Sequence, residues 1–191
     1  KTGIKVNVVA GKDKALQKRI IEEGKDCIAD LYITADAGRL GAFQAKGMFQ
    51  RASSKALKKA IPSNFRSPYW FGIAKRARVI YYDPSRTNPP SNLSYEDLAD
   101  PEYKGKVVIR KSNNVYNQSL VASLISNNGK KKTAVWAKGL VNNMARKPKG
   151  NDRAQILAVA AGEADYAVAN TYYIALMLSG KKGPEQQAAA K

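Results

Sequence analysis

The stretch Tyr166-Ala-Val-Ala-Asn170-Thr-Tyr172-Tyr173-Ile-Ala-Leu-Met-Leu178-Ser-Gly180 changes its structural character once, at Asn170. Residues 166–169 form a short apolar run of the kind a buried strand uses. From Thr171 the chain reads as a helix that carries Tyr172 and Tyr173 in its first turn and is closed by Gly180. A second segment has the same design. Residues 106–110 are strand-like and run into Lys111-Ser-Asn-Asn114, after which a helix begins with Tyr116 in its first turn and Leu120 and Leu124 beyond it. Two strand-to-helix units ending on tyrosine predict an α/β protein with its chemistry at the strand ends, where open α/β sheets bind ligands.

Further out, the first half alternates the same two elements. Ile4, Val6 and Val8 point one way in an expected strand, and Gly11 leads into a helix over residues 13–23, closed by Gly24. Residues 30–34 read as a short buried strand, followed by Asp36-Ala37-Gly38 and a helix over residues 39–46 that Gly47 ends. This β-α-β-α order predicts a parallel sheet covered by helices. Residues 70–73 and 76–82 are strand-like, and Pro84, Pro89 and Pro90 mark a loop. A short helix is expected from Ser94, two more over residues 133–141 and 152–161, and no core pattern from Glu185 to Lys191.

Composition removes several chemistries. The 191 residues include no histidine and a single cysteine, Cys27, so His-ligated zinc, histidine bases and an internal disulfide are excluded for this chain. A metal here must use Asp, Glu, Tyr, Asn or backbone oxygen, donors that suit hard cations. No nucleophile–base pair or P-loop appears, and an enzyme is not expected. The formal charge of +18 raises the expectation of polyanion partners. Its lysines are scattered, however, with Lys130–Lys132 the densest run and no nucleic-acid motif beside them. A basic solvated surface without a nucleic-acid partner is the expectation. The opening residues read as a strand rather than a signal peptide, so any targeting segment lies outside this sequence.

Ten tyrosines against four phenylalanines is an unusual ratio for aromatics that only fill a core. Tyr81, Tyr82, Tyr95, Tyr103 and Tyr166 have ordinary packing explanations. Tyr116, Tyr172 and Tyr173 sit instead at helix starts, where unpaired N–H groups and a partial positive charge favour a phenolate. Three phenolates would neutralise a trivalent cation. Spacing alone still favours packing, because aromatic residues at helix starts are common.

Asn114-Val-Tyr116-Asn-Gln-Ser-Leu120 and Ala169-Asn-Thr-Tyr172-Tyr173 resemble two iron-ligand motifs of the ferric-ion-binding proteins, the substrate-binding components of bacterial iron ABC importers, Fut type above all. The segments Lys1-Thr-Gly-Ile-Lys-Val6, Ala29-Asp-Leu-Tyr-Ile-Thr-Ala-Asp-Ala-Gly38, Trp70-Phe-Gly72, Lys75-Arg-Ala-Arg-Val79, Tyr95-Glu-Asp-Leu-Ala-Asp-Pro101, Trp136-Ala-Lys-Gly-Leu140, Gly150-Asn-Asp152 and Ala158-Val-Ala-Ala-Gly162 agree in the same order. The resemblance implies a type II periplasmic-binding-protein fold, like a transferrin lobe, in which two lobes close over a cleft. It implies a partial first lobe over residues 1–75, a crossing strand over 76–82, a second lobe over 83–183 and a tail over 184–191. It implies Fe(III) bound by Tyr116, Tyr172 and Tyr173, with Arg76 compensating phenolate charge and Arg78, Asp36 and Asn170 beside the metal or an anion. Carbonate is a candidate synergistic anion. The implied partner is the membrane permease of an ABC importer, the implied compartment the bacterial periplasm, and a monomer is expected. The family's N-terminal strand, which supplies a His-Tyr or Tyr-Tyr pair, and its C-terminal return to the first lobe find no counterpart here, so the sequence is expected to be incomplete at both termini. Cys27-Ile28 replaces a Ser-Pro of the family. Two other functions remain open: a solute-binding protein for an oxyanion, and a basic protein that docks on a membrane or an acidic complex.

Overall fold

A computed structural model describes residues 2–191, so Lys1, part of the expected family-like opening, lies outside the described residues. The chain divides into two compact units, one running to Ile73 and the other from Ala74 to Lys191.

The second unit holds the sheet. β1 (Arg78–Tyr82), β2 (Val107–Ile109) and β3 (Tyr166–Asn170) lie in the order β1-β3-β2. β2 runs parallel to β3 with Val107 opposite Tyr166, whereas β1 runs antiparallel to it with Arg78 opposite Asn170. β3 is therefore central, and all five of its residues are buried. Side chains alternate across a strand, and helices cover both faces. On one face Tyr166, Val168, Val107 and Ile109 meet Leu98, Tyr103, Leu120, Leu124, Trp136 and Leu140. On the other, Ala167 and Val108 meet Ala158, Val159 and Ala164. Burial on both sides explains why β3 reads as a continuous apolar run rather than an alternation.

The helices of this unit are α4 (Val115–Asn142), α5 (Asp152–Ala160), α6 (Thr171–Leu178) and α7 (Pro184–Ala188). The two helices expected around Leu120 and over 133–141 are joined as α4, broken only at Gly129, whose φ of 79° and ψ of 160° are not helical. Glycine is the residue that takes such a backbone without strain, and it lets Leu120, Leu124, Trp136 and Leu140 all reach one core. Gly139 is needed for closeness instead: a Cβ there would stand 2.5 Å from the carbonyl oxygen of Ala99. The short helix expected from Ser94 is a 3₁₀ turn, Asp97–Ala99, and the Ser94 hydroxyl donates to Asp97 Oδ2 at 2.9 Å. The C-terminal residues also differ from expectation. Pro184–Ala188 is helical, and Ala189 and Ala190 pack against the cluster of Ile156, Ala169 and Met177.

The first unit contains α1 (Asp13–Glu23), α2 (Ala37–Ala45) and α3 (Lys55–Ala60). Asp13 at the start of α1 accepts hydrogen bonds from Thr34 at 2.9 Å and Arg39 at 2.5 Å, which ties residues 34–39 to that helix. Phe43 on α2 is buried between the rings of Tyr32 and Phe49. Among the described residues, the parallel sheet expected in this half is not formed. Residues 4–8, 30–34 and 70–73 are not strands, apart from one bridge between Arg66 and Phe71. Ile4, Val6, Val8, Leu31 and Ile33 are all more than 70% exposed. Periodicity specifies which side chains share a face, but a strand exists only with a neighbour on its hydrogen-bonding edge. Among the described residues, no helix is long and apolar enough to cross a membrane.

Candidate metal centre

Each tyrosine-bearing helix start is built by local chemistry. Asn114 is the N-cap of α4, and its side-chain oxygen accepts from the Tyr116 N–H at 3.0 Å, satisfying one of the donors a helix leaves unpaired. Val115 opens the helix, so Tyr116 is its second residue. Asn170 occupies the same place before α6 but does not cap it with its side chain. Its amide oxygen accepts from Arg78 Nη1 at 3.0 Å and its N–H donates to Asp152 Oδ2 at 2.9 Å. The Tyr81 hydroxyl donates to the carbonyls of Asn170 and Thr171 at 3.3 and 3.4 Å, holding the turn from below.

The structure brings the three predicted tyrosines together. Tyr116 Oη and Tyr172 Oη lie 3.3 Å apart, one donating to the other, although 56 positions separate them in sequence. The rings of Tyr172 and Tyr173 have centroids 4.2 Å apart, tilted by 32°. Arg76 adds a cation to the group. Its Nη1 donates to Tyr116 Oη at 3.4 Å, and its Cζ stands 5.2 Å from the Tyr172 ring centroid. Such a position is attractive to an aromatic face and more so to a phenolate.

Arg78 binds groups around the two helix starts. Its side chain is 9% exposed and bonded to Asp152, Asn170, Asn117 and the carbonyl of Val168. Asp36 belongs to the first unit, where at φ 82° it caps α2 by accepting from the Gly38 N–H at 2.9 Å.

The field of a helix start does not decide the protonation of Tyr172. Its pKa is raised well above the ordinary phenol value. Burial is the first cause, followed by hydrogen bonds with Tyr116 and Tyr173 and their like charge. Burial and the neighbouring phenols thus favour the neutral form of Tyr172 in the metal-free protein. A bound cation reverses the balance, because metals deprotonate their ligands.

Among the described residues, no group of three or more Cys, Asp or Glu side chains is placed to hold a metal. Phenol oxygens are thus the donors that this unit clusters, and they suit a hard cation. Sequence reasoning assigned nothing to Asn117, Arg110 and Asp152, which lie directly beneath the tyrosines. Arg110 Cζ is 5.5 Å from the Tyr116 ring centroid, and Arg110 pairs with the fully buried Asp152 at 3.2 Å. An aspartate in the first turn of a helix is an ordinary sight in a sequence, and nothing in the residue order signals its burial.

The mixed sheet with β1 antiparallel, the helices on both faces and the polar cluster at the strand ends fit the type II periplasmic solute-binding class. The chain belongs to the family of bacterial extracellular solute-binding proteins, whose model matches residues 26–186. It is 49% identical to iron uptake protein A1 of a Synechocystis species over 100% of this chain and 53% of that one. It is 31% identical to the Fe(3+)-binding periplasmic protein of Serratia marcescens over 90% of this chain and 51% of the other. A Trichodesmium FutA structure in complex with iron and citrate superposes with a TM-score of 0.94 at 51% identity, covering 99% of this chain and 60% of that one. The chain spans about half the length of the curated relatives it matches.

Proposed function

We propose that the protein captures Fe(III) as the phenolate complex of Tyr116, Tyr172 and Tyr173 and delivers it, in the periplasm, to the membrane permease of an ABC importer. The carrying observation is the convergence of the Tyr116 and Tyr172 hydroxyls at 3.3 Å from two separate helix starts, with Tyr173 stacked beside them and Arg76 alongside. The printed names of the relatives, iron uptake and Fe(3+)-binding proteins, support the same cargo. In this reading residues 76–82 are the crossing strand, the tyrosines belong to the second lobe, and the first unit is part of the other lobe. Three phenolates balance the charge of Fe(III). The guanidiniums of Arg76 and Arg110 then leave positive charge beside the metal, which suits a synergistic anion such as carbonate.

Adding ferric citrate is expected to produce the visible phenolate-to-iron charge-transfer band. Tyr172→Phe is expected to lower affinity by more than about 100-fold, since losing an outer partner alone costs roughly 10–100-fold. Retention of both colour and affinity in Tyr172→Phe would show that the metal lies elsewhere. Calorimetric binding of sulfate or phosphate, with no response to iron, would instead favour an oxyanion held by Arg76 and a helix start. Binding to anionic vesicles that collapses with salt would favour a basic docking protein.

A further inference from the structure

Asp152 has no part among the phenols, yet its carboxylate is fully buried and both oxygens are used. Oδ2 accepts from the Asn170 N–H and from Arg78 Nη1, each at 2.9 Å, and Oδ1 accepts from Arg110 Nη1 at 3.2 Å. Arg78 carries the connection onward, donating from Nη2 to Asn117 Oδ1 at 2.7 Å and from Nη1 to Asn170 Oδ1 at 3.0 Å. Asn117 closes the circuit by donating to the Arg110 carbonyl at 2.6 Å. The two asparagines are the points of interest. Asn117 directly follows Tyr116 in α4, and Asn170 precedes the first turn of α6 that carries Tyr172.

We propose that Asp152 is a positioning residue that fixes Tyr116 against Tyr172, by holding the starts of α4 and α6 in register through Arg78, Asn117 and Asn170. This rests on the reading of the tyrosines as Fe(III) ligands. Metal coordination tolerates errors of only about 0.2 Å in ligand distance, and long tyrosine side chains pass any shift of their backbone on to the oxygen. Neighbouring residues within one helix turn keep their spacing by covalent geometry. Tyr116 and Tyr172 have no such link, so the spacing between their helix starts must come from contacts. The Asp152 circuit touches the chain beside both. A cluster that served folding alone would need its charges paired, but not bonds to the residues flanking each ligand. Arg78 Nε is buried without a partner, but both carboxylate oxygens of Asp152 and both Nη atoms of Arg78 are bonded. A buried network of this kind favours one arrangement because another would leave more polar groups unpaired.

The test is a ferric citrate titration of the parent protein, Asp152→Asn and Asn117→Ala, reading affinity and the charge-transfer band maximum. Circular dichroism checks that each variant is folded at the temperature used. Asn117→Ala removes only the arm that reaches α4 and leaves the Asp152 ion pairs in place, so it decides the matter even where Asp152→Asn fails to fold. The expected result is an affinity lower by about 10–100-fold in both folded variants, with a displaced band maximum that reports altered phenolate geometry. Parental affinity and band in folded Asn117→Ala would overturn the proposal and leave the iron reading standing. The same holds for Asp152→Asn that melts earlier but binds iron as the parent does. A parent protein that gives no band at all would overturn the iron reading, and this proposal with it.

Discussion

The two units use similar sequence patterns with opposite results. Residues 4–8 and 30–34 of the first unit alternate or cluster apolar residues as strongly as residues 107–109 and 166–170 of the second. In the second unit Val107, Ala167 and Ala169 are 0% exposed, whereas Val8 and Leu31 of the first are 80% and 83% exposed. The difference is partnership. β3 has β1 on one edge and β2 on the other, and helices on both faces. The first-unit segments have no paired strand on their edges and remain coil among the described residues. A strand pattern is thus a statement about faces, and only edges convert it into a sheet.

That contrast can be broken by mutation. Leu98→Ala, at a fully buried position in the second unit's main core, is expected to cost about 2–5 kcal/mol in denaturant unfolding. A cost near zero would mean that this core is loosely packed. Gly139→Ala follows, at about 1–3 kcal/mol, because its Cβ would meet the Ala99 carbonyl at 2.5 Å and either α4 or the 3₁₀ turn must shift.

The third prediction concerns pH at the tyrosines. Burial raises the pKa of Tyr172, so in the proposed complex iron displaces its proton, and affinity is expected to rise with pH by up to about tenfold per unit for each proton released. The stability consequence has the opposite sense. Below the ordinary phenol pKa near 10 both states keep the proton and nothing changes; above it the unfolded chain ionises first, and stability falls. Proton release into weakly buffered solution on adding iron checks the first point, and its absence would remove Tyr172 from the ligand set. The smallest effect is expected in the first unit. Leu31→Ala, at a side chain 83% exposed, should change stability by no more than about 0.5 kcal/mol. A larger loss would show that residues 30–34 are covered in solution.

Much of the local structure is legible in residue order. The helix expected over 13–23 is α1, Asp13–Glu23, because Gly24 stops a run whose apolar residues recur at three to four positions. The strand-to-helix transitions at Asn114 and Asn170 are equally visible, since asparagine interrupts the apolar run where a helix must start. Less legible were the joining of two expected helices into α4, where Gly129 looks like an ordinary terminator, and the helix α7 over residues with no core pattern. Asp152, Asn117 and Arg110 were not legible at all. Their roles depend largely on contacts between distant segments, such as Arg78 with Asn117, 39 positions away, and with Asp152, 74 positions away.

The sequence by itself determined the chemistry on offer: no histidine, an excess of phenols, and three of them at helix starts, the set we propose as iron ligands. Local rules suffice for this, because a cap, a glycine stop and an apolar period act within one or two turns. Only the tertiary structure decided that Tyr116 and Tyr172 meet at 3.3 Å, that burial raises the pKa of Tyr172, and that a buried carboxylate lies beneath them. Those outcomes depend on which distant segments share a low-dielectric interior, and hydrogen bonds and desolvation act through space rather than along the chain.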